Sequence, residues 1–131
     1  GALGGIVASR IAREFRLGGP SFVVSAEEAS GLRALEIGTR MLQSRQLDAV
    51  LIGAVDLFCD ERNLATLARR MAFTTKTSIR PFDRRADGTL PGEGAVALVL
   101  KRLKEAQADK DRIFAVVQGI GGASGGGPEE G

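Results

Sequence analysis

The sequence predicts an α/β layered fold, and three observations support this prediction. Segments with helical spacing of apolar residues alternate along the chain with short runs of β-branched and apolar residues. Two of these runs, 47–57 and 94–100, have a continuous apolar centre, which is typical of central strands covered on both faces. Glycine is about twice as frequent as usual, with 18 glycines among 131 residues, and many lie where strands would meet helices.

The first half of the chain alternates between helix and strand. Residues 3–15 carry apolar side chains at helical spacing, and a Gly-Gly-Pro turn ends this amphipathic helix. The β-branched and aromatic run that follows predicts a strand over 21–26. Residues 27–44 are apolar nearly all round, which predicts a buried helix whose Gly31 and Gly38 allow close backbone approach. The apolar run 47–57 then predicts the first central strand.

The second half repeats this alternation around a long loop. Residues 61–70 have the pattern of a helix. Residues 72–93 are rich in Thr, Pro, Asp and Gly, and loops longer than ~15 residues are usually functional or packed as ordered caps. After the strand at 94–100, we predict a short exposed helix over 101–110 and a third strand over 112–119.

The composition excludes several kinds of catalytic and metal site. The chain has no histidine and one cysteine, Cys59. Ser-His and Cys-His pairs, histidine metal sites and thiolate clusters are therefore excluded, and we expect no metal. Cys59 follows a predicted strand and has no base beside it, so we interpret it as a passive thiol in a reducing compartment.

Charge and hydropathy argue against nucleic acid and membrane partners. The net charge is +2, from 18 basic and 16 acidic residues, and neither Trp nor Tyr is present to stack on bases. We interpret the arginines of the first helix, Arg10, Arg13 and Arg16, as a solvated or partner-facing surface.

No apolar run reaches the ~18–20 residues that span a bilayer, so we expect a cytoplasmic protein without a membrane span. The glycines at 119–125 depart from the dinucleotide-binding fingerprint, and no bound cofactor is expected.

The Glu27-Glu28 pair is the most informative candidate site. It lies where the predicted strand turns into the predicted helix, a geometry that serves nucleophiles and anion sites. The alternative is a structural role, in which the two carboxylates complement the positive end of the helix dipole. Spacing alone favours the structural role. Three serines lack a histidine or lysine at a recognisable spacing, and we interpret them as strand-end and helix-start residues: Ser25, Ser30 and Ser124.

Four motifs, in order over nearly the whole chain, resemble those of the β-ketoacyl synthase family of polyketide and fatty-acid synthases. Gly19–Val24 (GPSFVV) is similar to the strand that precedes the family's active-site helix, and Leu47–Leu57 (LDAVLIGAVDL) is similar to the next strand. Arg80–Asp83 with Ala86–Gly88 is similar to the family's R-P-F-D-x-x-A-D-G loop. Gly92–Gly94, followed by AVALVLKRL, is similar to the strand after that loop.

The resemblance implies a partial thiolase-like layered fold, a fragment of a ketosynthase domain. Residues 1–120 would be the central segment of that domain, and 121–131 a glycine-rich mobile tail. The family's opening region would lie before Gly1, and its two catalytic histidines after Gly131.

One departure from the family pattern concerns the catalytic residue. The pattern after the strand is D-T-A-C-S-S, in which cysteine accepts the acyl group. Here the similar stretch is Ser25–Ser30 (SAEEAS), and Glu28 occupies the cysteine position. A carboxylate that accepted the acyl group would form a labile mixed anhydride, so we expect Glu28 to be non-nucleophilic. The N–H groups at the start of the helix favour the ionised form of Glu28, whereas burial in an acyl pocket would favour the protonated form. We expect the effect of the helix N–H groups to be larger and Glu28 to be an anion.

The resemblance offers a function and an alternative. The parent protein would belong to the acyltransferase class, and this segment alone would be inactive. We expect a non-condensing partner similar to chain-length factors; the alternative is a malonyl decarboxylase or an active synthase with an unusual site. The surroundings of Glu28 are similar to those in polyunsaturated fatty-acid synthases. The implied partners are an acyl-carrier protein, whose phosphopantetheine arm presents the substrate, and a second ketosynthase-type subunit or a homodimer through residues 20–27.

Overall fold

The structure is a computed structural model and describes residues 4–57 and 60–123. Two strands pair in a sheet, and the helices lie before, between and after them in the chain. In chain order the elements are α1 (Ile6–Glu14), a 3₁₀ turn (Glu27–Ala29), α2 (Ser30–Gln43), β1 (Ala49–Asp56), α3 (Glu61–Leu67), β2 (Gly94–Lys101) and α4 (Leu103–Ala108).

All four predicted helices and the strands predicted at 47–57 and 94–100 are confirmed. The strands predicted at 21–26 and 112–119 are wrong, since both segments lie outside any helix or strand. A strand requires a hydrogen-bonded neighbour, and the described sheet contains only β1 and β2. The β-branched residues of these two segments favour extended backbone, but no neighbouring strand among the described residues pairs with them. Most of the tail predicted at 121–131 lies outside the described residues.

Backbone contacts divide the described residues into two units. The first comprises residues 4–52 and 99–123, and the second residues 53–57 and 60–98.

The core of the first unit forms where α2 packs on the start of β1. Leu42 and Ile52 are 5% and 7% exposed. A Cβ atom placed on Gly38 would lie 3.0 Å from Cδ1 of Ile52 and 3.1 Å from Cγ1 of Val50. Gly38 thus permits the close approach of helix and strand that the sequence predicted.

Arg102 fixes the connection between α2 and β1. Its guanidinium donates hydrogen bonds to the carbonyl oxygens of Leu42 (2.9 Å) and Leu47 (2.6 Å). It also donates to the carboxylates of Asp48 (2.7 Å) and Glu105 (2.6 Å). The hydrogen bond to Glu105, which has the larger effect, and the one to Asp48 raise the pKa of Arg102 above its ordinary value. The Arg102 side chain thereby supplies a hydrogen bond to a carbonyl in the last turn of α2. It also connects this turn of α2 to the end of β2.

In the second unit, hydrogen bonds close the long loop that the sequence predicted. Thr74 N–H donates to the carbonyl of Thr89, and Thr89 N–H donates to the carbonyl of Ala72, both at 2.9 Å. The Thr74 hydroxyl donates to Asp87 at 2.8 Å, and this bond, with the nearby Lys76, holds the pKa of Asp87 below its usual range. The loop is therefore a closed structure built around Ala72–Thr74 and 87–89.

Burial is lower than the sequence predicted. The prediction of a helix buried all round is wrong for the described residues, in which α2 buries only Gly38 and Leu42. The faces of the two strands, which the sequence predicts to need further covering elements, are largely exposed. Leu32 on α2 is 67% exposed, and on β1 Leu51 and Val55 are exposed while Ile52 is buried. The apolar residues that predicted a second layer are present, but the described residues do not supply that layer.

Candidate functional site

The candidate site is the turn that joins residues 21–26 to α2. Glu27 has a φ of 49°, in the left-handed region. This conformation costs roughly 1–2 kcal/mol in a residue other than glycine, so the surroundings must stabilise it. The N–H of Ala29 donates to the carbonyl of Ala26 at 3.0 Å, which closes the turn.

Ser30 connects the two sides of this turn. Its hydroxyl donates to the carbonyl of Glu27 at 2.6 Å and accepts from the N–H of Ala26 at 2.9 Å. Its own N–H also donates to the Glu27 carbonyl. Because the hydroxyl hydrogen is held by a carbonyl, Ser30 is a structural residue of the turn, as the sequence predicted, and is poorly placed to act as a nucleophile.

Glu28 lies in the middle of the turn, and its side chain is exposed. Among the described residues no other element covers this turn, and the expectation that Glu28 points into the acyl cavity of a complete domain stays a prediction. α2 is 14 residues long and begins two positions later. The positive end of its dipole therefore lies next to the Glu28 backbone.

The arginine nearest to Glu28 along α2 is engaged elsewhere. Arg33 donates to Glu36 at 2.5 Å, and Arg40 donates to the same carboxylate at 2.6 Å. The hydrogen bond from Arg33, together with Arg40, holds the pKa of Glu36 below its ordinary value. The positive charge of Arg33 is thus directed to Glu36.

The other residues considered in the sequence do not gather at this turn. Ser25 is exposed just before the turn, and Arg10, Arg13 and Arg16 are exposed in or just after α1. Cys59 and Ser124 lie outside the described residues. Among residues 4–57 and 60–123, no three acidic or thiol side chains are grouped as metal ligands would be. In the same ranges, no helix has the length and apolar character needed to cross a membrane.

Sequence reasoning missed two features that fix local structure. It treated Ser30 only as a helix-start residue, although a serine three positions after a carbonyl at a tight turn is well placed to hydrogen-bond it. It also gave no special role to Gly88. There φ is 145°, and a Cβ would lie 2.6 Å from backbone atoms of Phe73 and Thr74.

Comparison with solved structures assigns this arrangement to a class of protein, the thiolase-like fold of ketosynthase domains. Residues 1–106 match the family model "Beta-ketoacyl synthase, N-terminal domain". The chain belongs to the β-ketoacyl synthase family.

Solved ketosynthases have the same local fold. The ketosynthase from module 1 of the bacillaene synthase of Bacillus amyloliquefaciens superposes with a TM-score of 0.77 and 32% identity. That match covers 90% of this chain and 21% of the other. The ketosynthase from module 6 of the Bacillus subtilis bacillaene synthase gives a TM-score of 0.76 at 34% identity, covering 84% and 20%. The predicted partial thiolase-like fold is confirmed.

Curated relatives are polyketide and fatty-acid synthases. The chain is 36% identical over 120 residues to the hybrid PKS-NRPS synthetase TAS1 of Gloeophyllum trabeum, covering 92% of this chain and 8% of that protein. It is 38% identical over 119 residues to a polyunsaturated fatty acid synthase polypeptide of Thraustochytrium sp., covering 90% and 6%. The chain thus spans less than a tenth of these relatives and about a fifth of the solved ketosynthases.

Proposed function

We propose that this chain is the ketosynthase-like part of a non-condensing subunit of a polyketide or fatty-acid synthase. The observation that supports this is Glu28, which stands at the position similar to that of the family's acyl-accepting cysteine. The turn around it is tightly hydrogen-bonded, so the backbone is arranged to present a side chain there. The side chain presented is a carboxylate, which cannot hold an acyl group as a stable thioester.

The chemistry of decarboxylation also argues for a non-catalytic Glu28. An amide at this position can donate a hydrogen bond to the developing enolate oxygen of a malonyl group, whereas an ionised carboxylate can only accept. Its charge would also repel the malonyl carboxylate. Under this proposal, Glu28 excludes acyl and malonyl thioesters, and an active ketosynthase partner carries out the condensation.

A decarboxylation assay separates this proposal from a malonyl decarboxylase. The full-length protein is incubated with a malonyl-carrier protein, and release of carbon dioxide is compared for wild type, Glu28→Ala and Glu14→Ala. The last variant removes one carboxylate from α1 as a matched control. We expect all three proteins to stay at background. Activity in the wild type that disappears only in Glu28→Ala would contradict the proposal.

The proposed assembly uses the segment 20–27. Phe22 and Val23 are each 50% exposed and lie outside the described sheet. Phe22 to Val24 carry no charge, and aromatic and β-branched residues with unpaired backbone pair readily with a second strand. We therefore assign this segment to contact with a second copy or a second ketosynthase-type subunit, related by an isologous or pseudo-symmetric interface. The acyl-carrier protein remains the proposed source of substrate for the assembly.

We expect Val23→Lys to break this contact, because the interface would have to bury a charge next to its partner strand. The mass of the full-length protein in solution is measured across a concentration series. Gln107→Lys introduces the same charge on the exposed end of α4 and serves as the control. Dissociation in Val23→Lys alone supports the interface, and an unchanged mass in both variants would exclude it.

A further inference from the structure

The turn at the candidate site is built around the hydroxyl of Ser30. We propose that Ser30 is the positioning residue of this site: it holds Glu27 in the left-handed conformation and thereby sets the direction in which side chain 28 leaves the backbone. This inference rests on the proposed function only in taking position 28 as the site.

The geometry of the two hydrogen bonds carries the argument. The hydroxyl accepts from the N–H that precedes Glu27 along the chain and donates to the carbonyl that follows the Glu27 Cα. The two bonds therefore span both backbone dihedral angles of Glu27. A residue other than glycine keeps a φ of 49° only where its surroundings determine it, and this hydroxyl acts on both sides of that residue.

The position of Ser30 connects the turn to the helix. Ser30 is the first residue of α2, and its backbone N–H shares the Glu27 carbonyl with its hydroxyl. Any side chain at position 28 is consequently held at a fixed place relative to the N-terminal end of α2. Without the hydroxyl, the Ala29-to-Ala26 bond remains, but Glu27 can relax towards negative φ and turn residue 28 away.

A thiol placed at position 28 reports this geometry without any acyl substrate. In the full-length protein carrying Glu28→Cys, the introduced thiol lies near the start of α2, where helix N–H groups favour the thiolate. The rate of alkylation by iodoacetamide is measured from pH 5 to pH 10. We expect Ser30→Ala, added to Glu28→Cys, to shift the midpoint of the pH–rate profile to higher pH. Alkylation at pH 7 should slow by about tenfold, which corresponds to a rise of roughly one unit in the pKa of the thiol. Ser30→Thr keeps the hydroxyl and should preserve the original profile.

Ser44→Ala is the matched control, since the Ser44 hydroxyl donates to the Met41 carbonyl at 3.2 Å, at the other end of the same helix. It should leave the profile unchanged. A second variant, Glu27→Gly, tolerates positive φ without the hydroxyl. It should restore alkylation in the Ser30→Ala background.

Two results would overturn the inference. One is a profile in Ser30→Ala that equals that of Ser44→Ala. The other is a loss of reactivity that Glu27→Gly does not restore, which would indicate general unfolding, monitored in parallel by far-ultraviolet circular dichroism. Neither result depends on whether wild-type Glu28 accepts acyl groups, so failure of the proposed function is distinguishable from failure of this inference.

Discussion

Gly88→Ala is expected to destabilise the loop closed by Thr74 and Thr89 by about 3 kcal/mol. Part of this cost is the backbone strain of a side chain at a φ of 145°, and part is overpacking against the backbone of Ala72, Phe73 and Thr74. These neighbours are backbone atoms, which cannot move aside as the end of a flexible side chain can. The change should appear as a lower midpoint of urea unfolding in the full-length protein.

Gly92→Ala is the matched control for this prediction. Nothing lies within 4 Å of the Cβ that would be added at Gly92. Its stability should stay within about 1 kcal/mol of wild type, since a compatible alanine mainly restricts the unfolded chain. Equal stabilities of the two variants would show that the close packing around Gly88 does not contribute.

The second large effect is a gain of acyl loading in Glu28→Cys. The turn, the left-handed Glu27 and the Ser30 hydrogen bonds are already in place, so the substitution supplies the thiol that the site lacks. In the full-length protein incubated with an acyl-carrier substrate, we expect most molecules to gain the mass of one acyl group. The thioester should form at position 28 because helix N–H groups favour the thiolate there.

Glu27→Cys is the control for loading, because it places a thiol one residue earlier in a different direction. It should gain little or no acyl mass. If Glu28→Cys reacts with iodoacetamide yet takes up no acyl group, the thiol is accessible and the turn alone does not make an acyl acceptor.

The helices and β1 and β2 could be predicted from sequence because each depends on local signals. Helical spacing located α1 and α2, and a continuous apolar run located β1. The two segments predicted as further strands failed for a physical reason. Strand formation depends on a hydrogen-bonding neighbour, which the residues of 21–26 and 112–119 do not specify.

The turn before α2 could be predicted in position but not in detail. That Glu28 stands at the position of the family's cysteine rests on the resemblance and stays a prediction. The bridging hydroxyl of Ser30, the left-handed Glu27 and the close packing at Gly88 depend on backbone angles and contacts between residues separated along the chain. Residue types alone do not determine these features.

The most direct measurement of the central claim is the intact mass of the wild-type full-length protein after incubation with acyl-carrier and malonyl-carrier substrates. If Glu28 occupies the site as a fixed negative charge, the mass of the protein stays unchanged under conditions that load Glu28→Cys. A covalent acyl adduct on the wild-type protein that maps to Glu28 would contradict the account.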